Sequence, residues 1–325
     1  MPSRRTVLGN LVGAVLGGTL AIGTAAGSES LGRDASERAM STPRTPDDTT
    51  TVTARIDPAI LSKTGIPAPF ESPLSDLQRA TAVSLDDIDT VEATASIRGQ
   101  QLSHGHATLR GQFDVEQVVT RLGEHDPSFG RLSRSDTAMA SAELNHPGPE
   151  TTVLVRDDVA CTVAVQPSQL VAVADTTNRP QSGLAQLRSE QKRPLARAGA
   201  SGTPGVLLDG DAAVYATLTD ESRDWIRSKL RDASPAVREL LLATRAGGAS
   251  LSVGRRTGRL RYLLRIDPQQ HTDEAVRTLR GELTDDDDIA LVDADIEAGR
   301  IVADVAVGLE QLWTVHQHLL GETRF

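Results

Sequence analysis

The chain has 325 residues, with 34 Lys+Arg against 44 Asp+Glu, a net charge of -10 and a pI near 5.2. That length allows one large or two ordinary domains, each able to bury a core, and the acidic balance argues against nucleic acid and anionic membrane surfaces as partners. A single cysteine excludes an intramolecular disulfide, and an aromatic content of 2% removes the stacking platforms expected of sugar- or single-strand-binding surfaces.

No charged residue lies between Arg5 and Glu29. A basic start, an apolar middle and the small residues Thr24, Ala25, Ala26 and Gly27 make the layout of a cleavable export signal. The stretch Ser3-Arg4-Arg5-Thr6-Val7-Leu8 resembles the twin-arginine (Tat) translocation signal, with Arg4 and Arg5 as the signal residues. The resemblance implies export across a plasma membrane after folding in the cytoplasm, with the Tat translocation machinery as a partner. A retained transmembrane helix competes with cleavage: the uncharged run is long enough for about 30 Å of hydrocarbon. Gly13 and Gly17 have the small-xxx-small spacing of packed membrane helices. Residues 1–26 are therefore expected to be a signal or an N-terminal anchor, and the membrane is met only through this segment. A lipid anchor would need a cysteine after the apolar run, and the one cysteine is Cys161.

Residues 27–55 are rich in Ser, Thr, Asp and Pro and read as a disordered linker or stalk. Turn-rich text then surrounds a short helix expected near 74–80. A hairpin-plus-helix pattern follows. Residues 91–113 alternate as two strands around a turn at 100–103, and the period changes to a helix after Asp114, an N-cap with Gln117 three residues on. Residues 249–283 repeat the pattern, with a turn at Thr257-Gly258 and the second strand closing on Ile266-Asp267 as the first closes on Phe113-Asp114. Weaker echoes follow each: strands at 152–175 with a helix at 184–193, and strands at 289–308 with a helix at 309–320. The stretch 202–246, with the strand AAVYATL and two helices, reads as an insertion. The expected fold class is α+β, built from duplicated ββα units that form two antiparallel sheets with helices packed on one face. Residues 56–198 make the first domain and 199–325 the second.

Chemistry is harder to find. His104-Gly105-His106 places both rings on one side of a strand, a weak candidate metal pair without carboxylate or cysteine companions. His125 and His146 are placed in loops of the same half. His316 and His318 stand two apart on an expected helix and point to different faces. Asp293-x-Asp295-x-Glu297 with Gly299 and Asp304 partly matches a calcium loop, but Ala298 occupies the obligatory glycine position and the run fits the solvent face of a hairpin better. The run Asp285–Asp288 reads as a solvated loop. Cys161, among small and β-branched neighbours, reads as a buried structural thiol. There is no Gly-x-Ser-x-Gly, P-loop, dinucleotide fingerprint or His-Glu-x-x-His, so no cofactor is expected.

Only Lys63, Lys192 and Lys229 break the use of arginine as the basic residue. Acidic, lysine-poor and rich in Ala, Val, Gly, Thr and Asp, the composition resembles proteins of extremely halophilic archaea, in which surface carboxylates maintain solubility at high salt. Together these features lead to the expectation of an exported extracytoplasmic or cell-surface protein, a non-enzymatic binding or structural module for an extracellular ligand or envelope protein. The alternative is a hydrolase or metal-dependent enzyme with dispersed residues. Several titratable groups converging in one concavity would favour the enzyme; a shallow surface of Thr, Arg and Asp would favour the binding module.

Overall fold

The computed structural model describes residues 49–65, 68–98, 101–131, 151–156, 160–175, 209–229, 235–267, 274, 276–278, 281, 290–297, 300–310 and 312. The signal segment with Arg4 and Arg5, most of the linker, the expected helix at 184–193 and the Asp285–Asp288 run lie outside the described residues. So do His146, His316 and His318, and of the final expected helix only residues 309, 310 and 312 are described.

Among the described residues, twelve strands form one antiparallel sheet, with a few helices, an α+β architecture. In chain order they are β1 (Thr50–Ile56), β2 (Ile88–Arg98), β3 (Gln101–Gly111), β4 (Phe129–Arg131), β5 (Thr152–Arg156), β6 (Ala160–Gln166) and β7 (Gln169–Asp175). Then come β8 (Ala212–Thr217), β9 (Thr244–Val253), β10 (Thr257–Ile266), β11 (Ala290–Glu297) and β12 (Arg300–Gly308). Their order across the sheet is β11-β12-β10-β9-β8-β1-β2-β3-β7-β6-β5-β4. The helices are α1 (Leu61–Thr64), α2 (Ala68–Thr81), α3 (Val115–His125), α4 (Asp220–Lys229) and α5 (Pro235–Ala243).

Two expected sheets are therefore one. The junction is β1 against β8, paired in register from Thr51↔Thr217 to Ile56↔Ala212. β1 lies inside the stretch read as linker: TTVTARI alternates, with Thr50, Val52 and Ala54 buried, so its β-branched period outweighs its polar composition. The supposed insertion holds β8, α4 and α5, and β8 sits in the middle of the sheet between β1 and β9 rather than beside it. Outward from the junction, one side runs β1, β2, β3, β7, β6, β5, β4 and the other β8, β9, β10, β12, β11. On both sides helices follow the first strand, and a helical segment follows the third: α3 after β3, and residues 276–278 after β10.

Local chemistry explains several boundaries. Asp114 caps α3, its Oδ1 accepting from the Gln117 amide at 3.0 Å, so the period changes where a capping carboxylate sits. α2 starts within the turn-rich text, earlier than residue 74. Pro69 lies in its first turn, where a missing N–H breaks no helical hydrogen bond. At Gly111 a Cβ would run into the Asp87 carbonyl oxygen, so the close approach of β3 to the turn before β2 requires glycine.

The main core lies between the sheet and the helices. Val52, Ala93, Leu109, Cys161, Val163, Leu170, Val214 and Leu251 from the sheet meet Leu77 of α2 and Val118 and Leu122 of α3. Leu240 and Ala243 of α5 pack with Ile266, Val276 and Ile301 in a smaller cluster. At about 1.5–3 kcal/mol for each large apolar side chain buried, this layer dominates the stability of the fold. A hydroxyl knot ties β1 to α4: Thr50 Oγ1 lies 2.5 Å from Ser222 Oγ and accepts from the Thr219 amide at 3.2 Å. Thr219 Oγ1 in turn accepts from the Ser222 amide at 3.2 Å, an N-cap for α4.

Candidate functional site

The sheet face turned away from the helices is the candidate site. Alternation puts every second residue of each strand there, and the pairing registers align these residues in straight rows across the strands. The central row carries no charge: Val302, Leu263, Gly248, Tyr215, Thr53, Thr94 and His106 follow one another in register. The row on one side is Asp304, Arg261, Ser250, Ala213, Arg55, Glu92 and Thr108. On the other side lie Arg300, Arg265, Ala246, Thr217, Thr51, Ser96 and His104. Arg55, Thr217, Ser252, Arg259 and Arg265 are exposed, so this part of the face meets solvent.

Two features stand out. Asp304, 5% exposed on β12, accepts from two arginines of β10. Arg261 Nε and Nη2 reach its two oxygens at 2.8 and 2.9 Å, and Arg259 Nη2 adds a bond at 2.8 Å. The Arg261 hydrogen bond is the main cause that holds the Asp304 carboxyl below the usual range, burial opposes it, and Arg259 adds a smaller lowering. The same bond raises the Arg261 guanidinium. Tyr215 stands mid-face, half-buried, with Thr53 across one strand pair and Gly248 across the other. Burial raises its phenol, and the Arg265 charge opposes that rise.

The candidate pair His104 and His106 lies on this face, on β3, as their spacing requires. His106 Nε2 is 3.5 Å from Thr108 Oγ1, and His104 stands in register with Ser96 and Asp175. Among the described residues no group of three or more His, Cys, Asp or Glu is placed to hold a metal ion. The calcium-like run falls in β11, with Asp293 in register with Asp304, and Asp304 accepts from arginines. A hairpin, not a loop, holds these residues. Cys161 is buried among core side chains.

Two charged groups hold places the sequence does not disclose: Asp304 is read there only as the last position of the calcium-like run, and Arg156 not at all. Asp304 sits alone in the apolar strand RIVADVAVG, which with Arg259-x-Arg261 on the neighbouring alternating strand was the available signal. The other is Arg156 at the end of β5, 1% exposed, whose Nη1 lies 2.9 Å from Asp126 Oδ2 just beyond α3. Asp126 Oδ1 also accepts from the Ser128 amide at 3.1 Å and its hydroxyl at 2.5 Å. This pair lies on the helix side and fastens α3 to β5; it is not part of the open face.

No helix among the described residues is long and apolar enough to cross a membrane. No family model and no curated protein matches the sequence. Among solved structures, the chain is similar to TP0453 in its crystal form III, at a TM-score of 0.50 and 13% identity, covering 81% of this chain and 92% of that one. Crystal form I of the same protein matches at a TM-score of 0.48 and 14% identity, over 83% and 94% of the two chains. At this identity the likeness is one of fold alone.

Proposed function

We propose that the protein is exported and acts outside the cytoplasm as a non-enzymatic binding or structural module, presenting the open sheet face to its partner. The observation that carries this reading is the face itself: a shallow surface of Thr, Ser, Arg and Asp around Tyr215, spread over seven strands from β12 to β3. Substrate-binding clefts are concave, with a few polar groups converging on one point; here Arg261, Asp304, Arg55 and Glu92 are laid out along a row instead. The export reading rests on Arg4-Arg5 and the uncharged run after it, with the remainder of the N-terminal segment serving as stalk or tether.

The body is an internal duplication of one strand–helices–hairpin–helix–hairpin unit. Strand orders that agree over five strands, β1-β2-β3-β7-β6 against β8-β9-β10-β12-β11 with β5 and β4 lying beyond, support this reading, as does the identical place of a helix after β3 and β10. In this scheme β8, α4 and α5 are the counterparts of β1, α1 and α2.

The test is cell fractionation with mass spectrometry of the native N-terminus, comparing the wild type with Arg4→Lys/Arg5→Lys. Export predicts wild-type protein accessible to protease on intact cells, and a double variant retained inside. Equal accessibility of both forms removes the twin-arginine route, and protection of both removes the extracytoplasmic reading.

A further inference from the structure

We infer that the open face docks a short acidic segment of a partner protein, lying extended over β10, β9, β8 and β1. The inference rests on the proposal that this face is the binding surface, and it gives the partner its chemistry.

The sign of the charge comes first. Across these four strands the face carries Arg259, Arg261 and Arg265 of β10 and Arg55 of β1, with no carboxylate among them. Asp304 of β12 serves Arg259 and Arg261 together, one negative charge for two positive. Arg55 and Arg265 are exposed and, among the described residues, make no ion pair. In a chain of net charge -10, this strip is a place where a negative group is attracted rather than repelled.

Spacing then excludes a small anion. The register Arg55↔Ala213↔Ser250↔Arg261 puts Arg55 three strands from β10 and level with Arg261, four residues short of Arg265. Three spacings of about 4.8 Å and four residues at about 3.4 Å set Arg55 and Arg265 roughly 20 Å apart. With side chains standing out from the sheet, no single phosphate or carboxylate meets both. An extended chain of about six residues spans that distance.

The flanks limit the kind of polyanion. Glu92 of β2 bounds the strip on one side. On the other, β11 sets Asp293 and Glu297 in register with Asp304 and Arg300. A nucleic-acid duplex or an anionic bilayer is broader than four strands and meets these carboxylates and the acidic surface beyond. Single-stranded nucleic acid is gripped by aromatic rings in series, and the strip has Tyr215 alone. An acidic peptide needs only the arginines, with the exposed hydroxyls of Ser252 and Thr217 as further donors. Leu263, Ser250 and Ala246 are already buried, so recognition falls to charge rather than apolar area and is sensitive to salt.

The test is fluorescence anisotropy of labelled octaglutamate with the full chain in mild non-ionic detergent, which sequesters the N-terminal apolar segment. Binding should be saturable at the lowest salt at which circular dichroism shows the fold. It should weaken as salt rises and the screening length shrinks to about 3 Å near 1 M. Arg55→Glu and Arg265→Glu should each weaken it by about tenfold and Arg265→Lys by much less, because only the first two remove a charge-assisted contact. Arg121→Glu, on the helix side, makes the same change in net charge and should leave binding intact. Circular dichroism of each variant separates loss of binding from loss of fold. Absence of saturable binding by the folded wild type overturns the inference. So does an equal loss in Arg121→Glu, or displacement of the label by oligothymidylate at a lower concentration than by unlabelled octaglutamate. If octaglutamate fails to bind while Arg265→Glu is nonetheless lost from the cell surface, the acidic partner is overturned and the binding face stands.

Discussion

The two ends of one sheet face are built on the same alternation and reach opposite outcomes. In β5, β6 and β7 the residues turned away from the helices are Val153, Thr162, Ala164, Val171 and Val173, all buried, Val173 and Thr162 at 0% exposure. In β8, β9 and β10 the equivalent positions divide: Leu263, Ser250 and Ala246 are buried, while Thr217, Ser252, Arg259 and Arg265 are exposed. The first end is a strand block buried on both faces; the second is a half-buried sheet with a working surface. The difference is already present in the text of the strands. VACTVAV and QLVAVAD run nearly unbroken in apolar and β-branched residues, as strands buried on both faces do, while RLRYLLRI carries an arginine at every second place but one.

The largest expected effect tests the doubly buried end. Arg156 and Asp126 form an ion pair with side chains 2% and 6% exposed. Removing one partner strands the other charge away from water, so Arg156→Ala should cost about 3–5 kcal/mol. The corresponding change on the open side, Arg259→Ala, removes a side chain that is 54% exposed and should cost under about 1 kcal/mol. Urea denaturation of the two variants checks the ratio. Equal costs would mean that the two ends do not differ in burial as described.

A charge scan sharpens the same contrast on a single face. Val173→Asp places a carboxylate where no water reaches and should destabilise by about 3 kcal/mol or more. Ser252→Asp, on the exposed part of that face, should stay within about 1 kcal/mol, most of it β-propensity. Melting temperatures of both variants under identical salt decide the matter.

How much of this was legible in the sequence depends on whether the signal was local. The β2–β3 and β9–β10 hairpins and the Asp114 cap are short-range features, and alternation and capping chemistry located them. β1 was missed because TTVTARI follows a polar stretch, and composition outweighed period in the reading. That β8 joins β1 is a non-local pairing, and no spacing along the chain specifies which edge meets which. For the same reason the candidate face could be described only by residue class. The rows that align Arg55 with Glu92 and Tyr215 with Thr53 exist only once the register is set. His104 and His106 drew notice because two histidines are rare. Asp304 drew notice only as the tail of a calcium-like run; its pairing with two arginines was not legible, because an aspartate in an apolar strand has no partner until β10 lies beside it.

Asp304 gives a pH-dependent version of the comparison. Its folded-state pKa is depressed, so its contribution to stability is present above the unfolded value of about 4 and is lost as pH falls through the folded value. The arginines are 35% and 54% exposed, so screening keeps the contribution to about 1–2 kcal/mol. Asp304→Asn should therefore be less stable than the wild type at pH 7, and the two should converge as the pH falls below the lowered folded-state value. A gap that persists at low pH would show that the cost is one of packing rather than charge.

The smallest effects belong to the two tyrosines, which lie on opposite faces of the sheet. Tyr262 packs on the helix side, against the main core, and burial pushes its phenol far above the usual value. Tyr215, on the open face, is raised too, with Arg265 opposing the rise. In both the folded state holds the proton more tightly, so stability is intact below the unfolded pKa of about 10 and falls as pH climbs past it. Near pH 7 Tyr215→Phe should change stability by less than about 0.5 kcal/mol, the range of surface substitutions. Above about pH 10, Tyr262→Phe should recover more of the alkaline loss than Tyr215→Phe, because the deeper phenol has more solvation to lose on ionising. As these are the only tyrosines in the chain, the ultraviolet absorbance of tyrosinate in each single variant reports one phenol at a time. If Tyr215 ionises later than Tyr262, the face turned from the helices is the more buried of the two at this point, and the surface assigned to a partner is already covered.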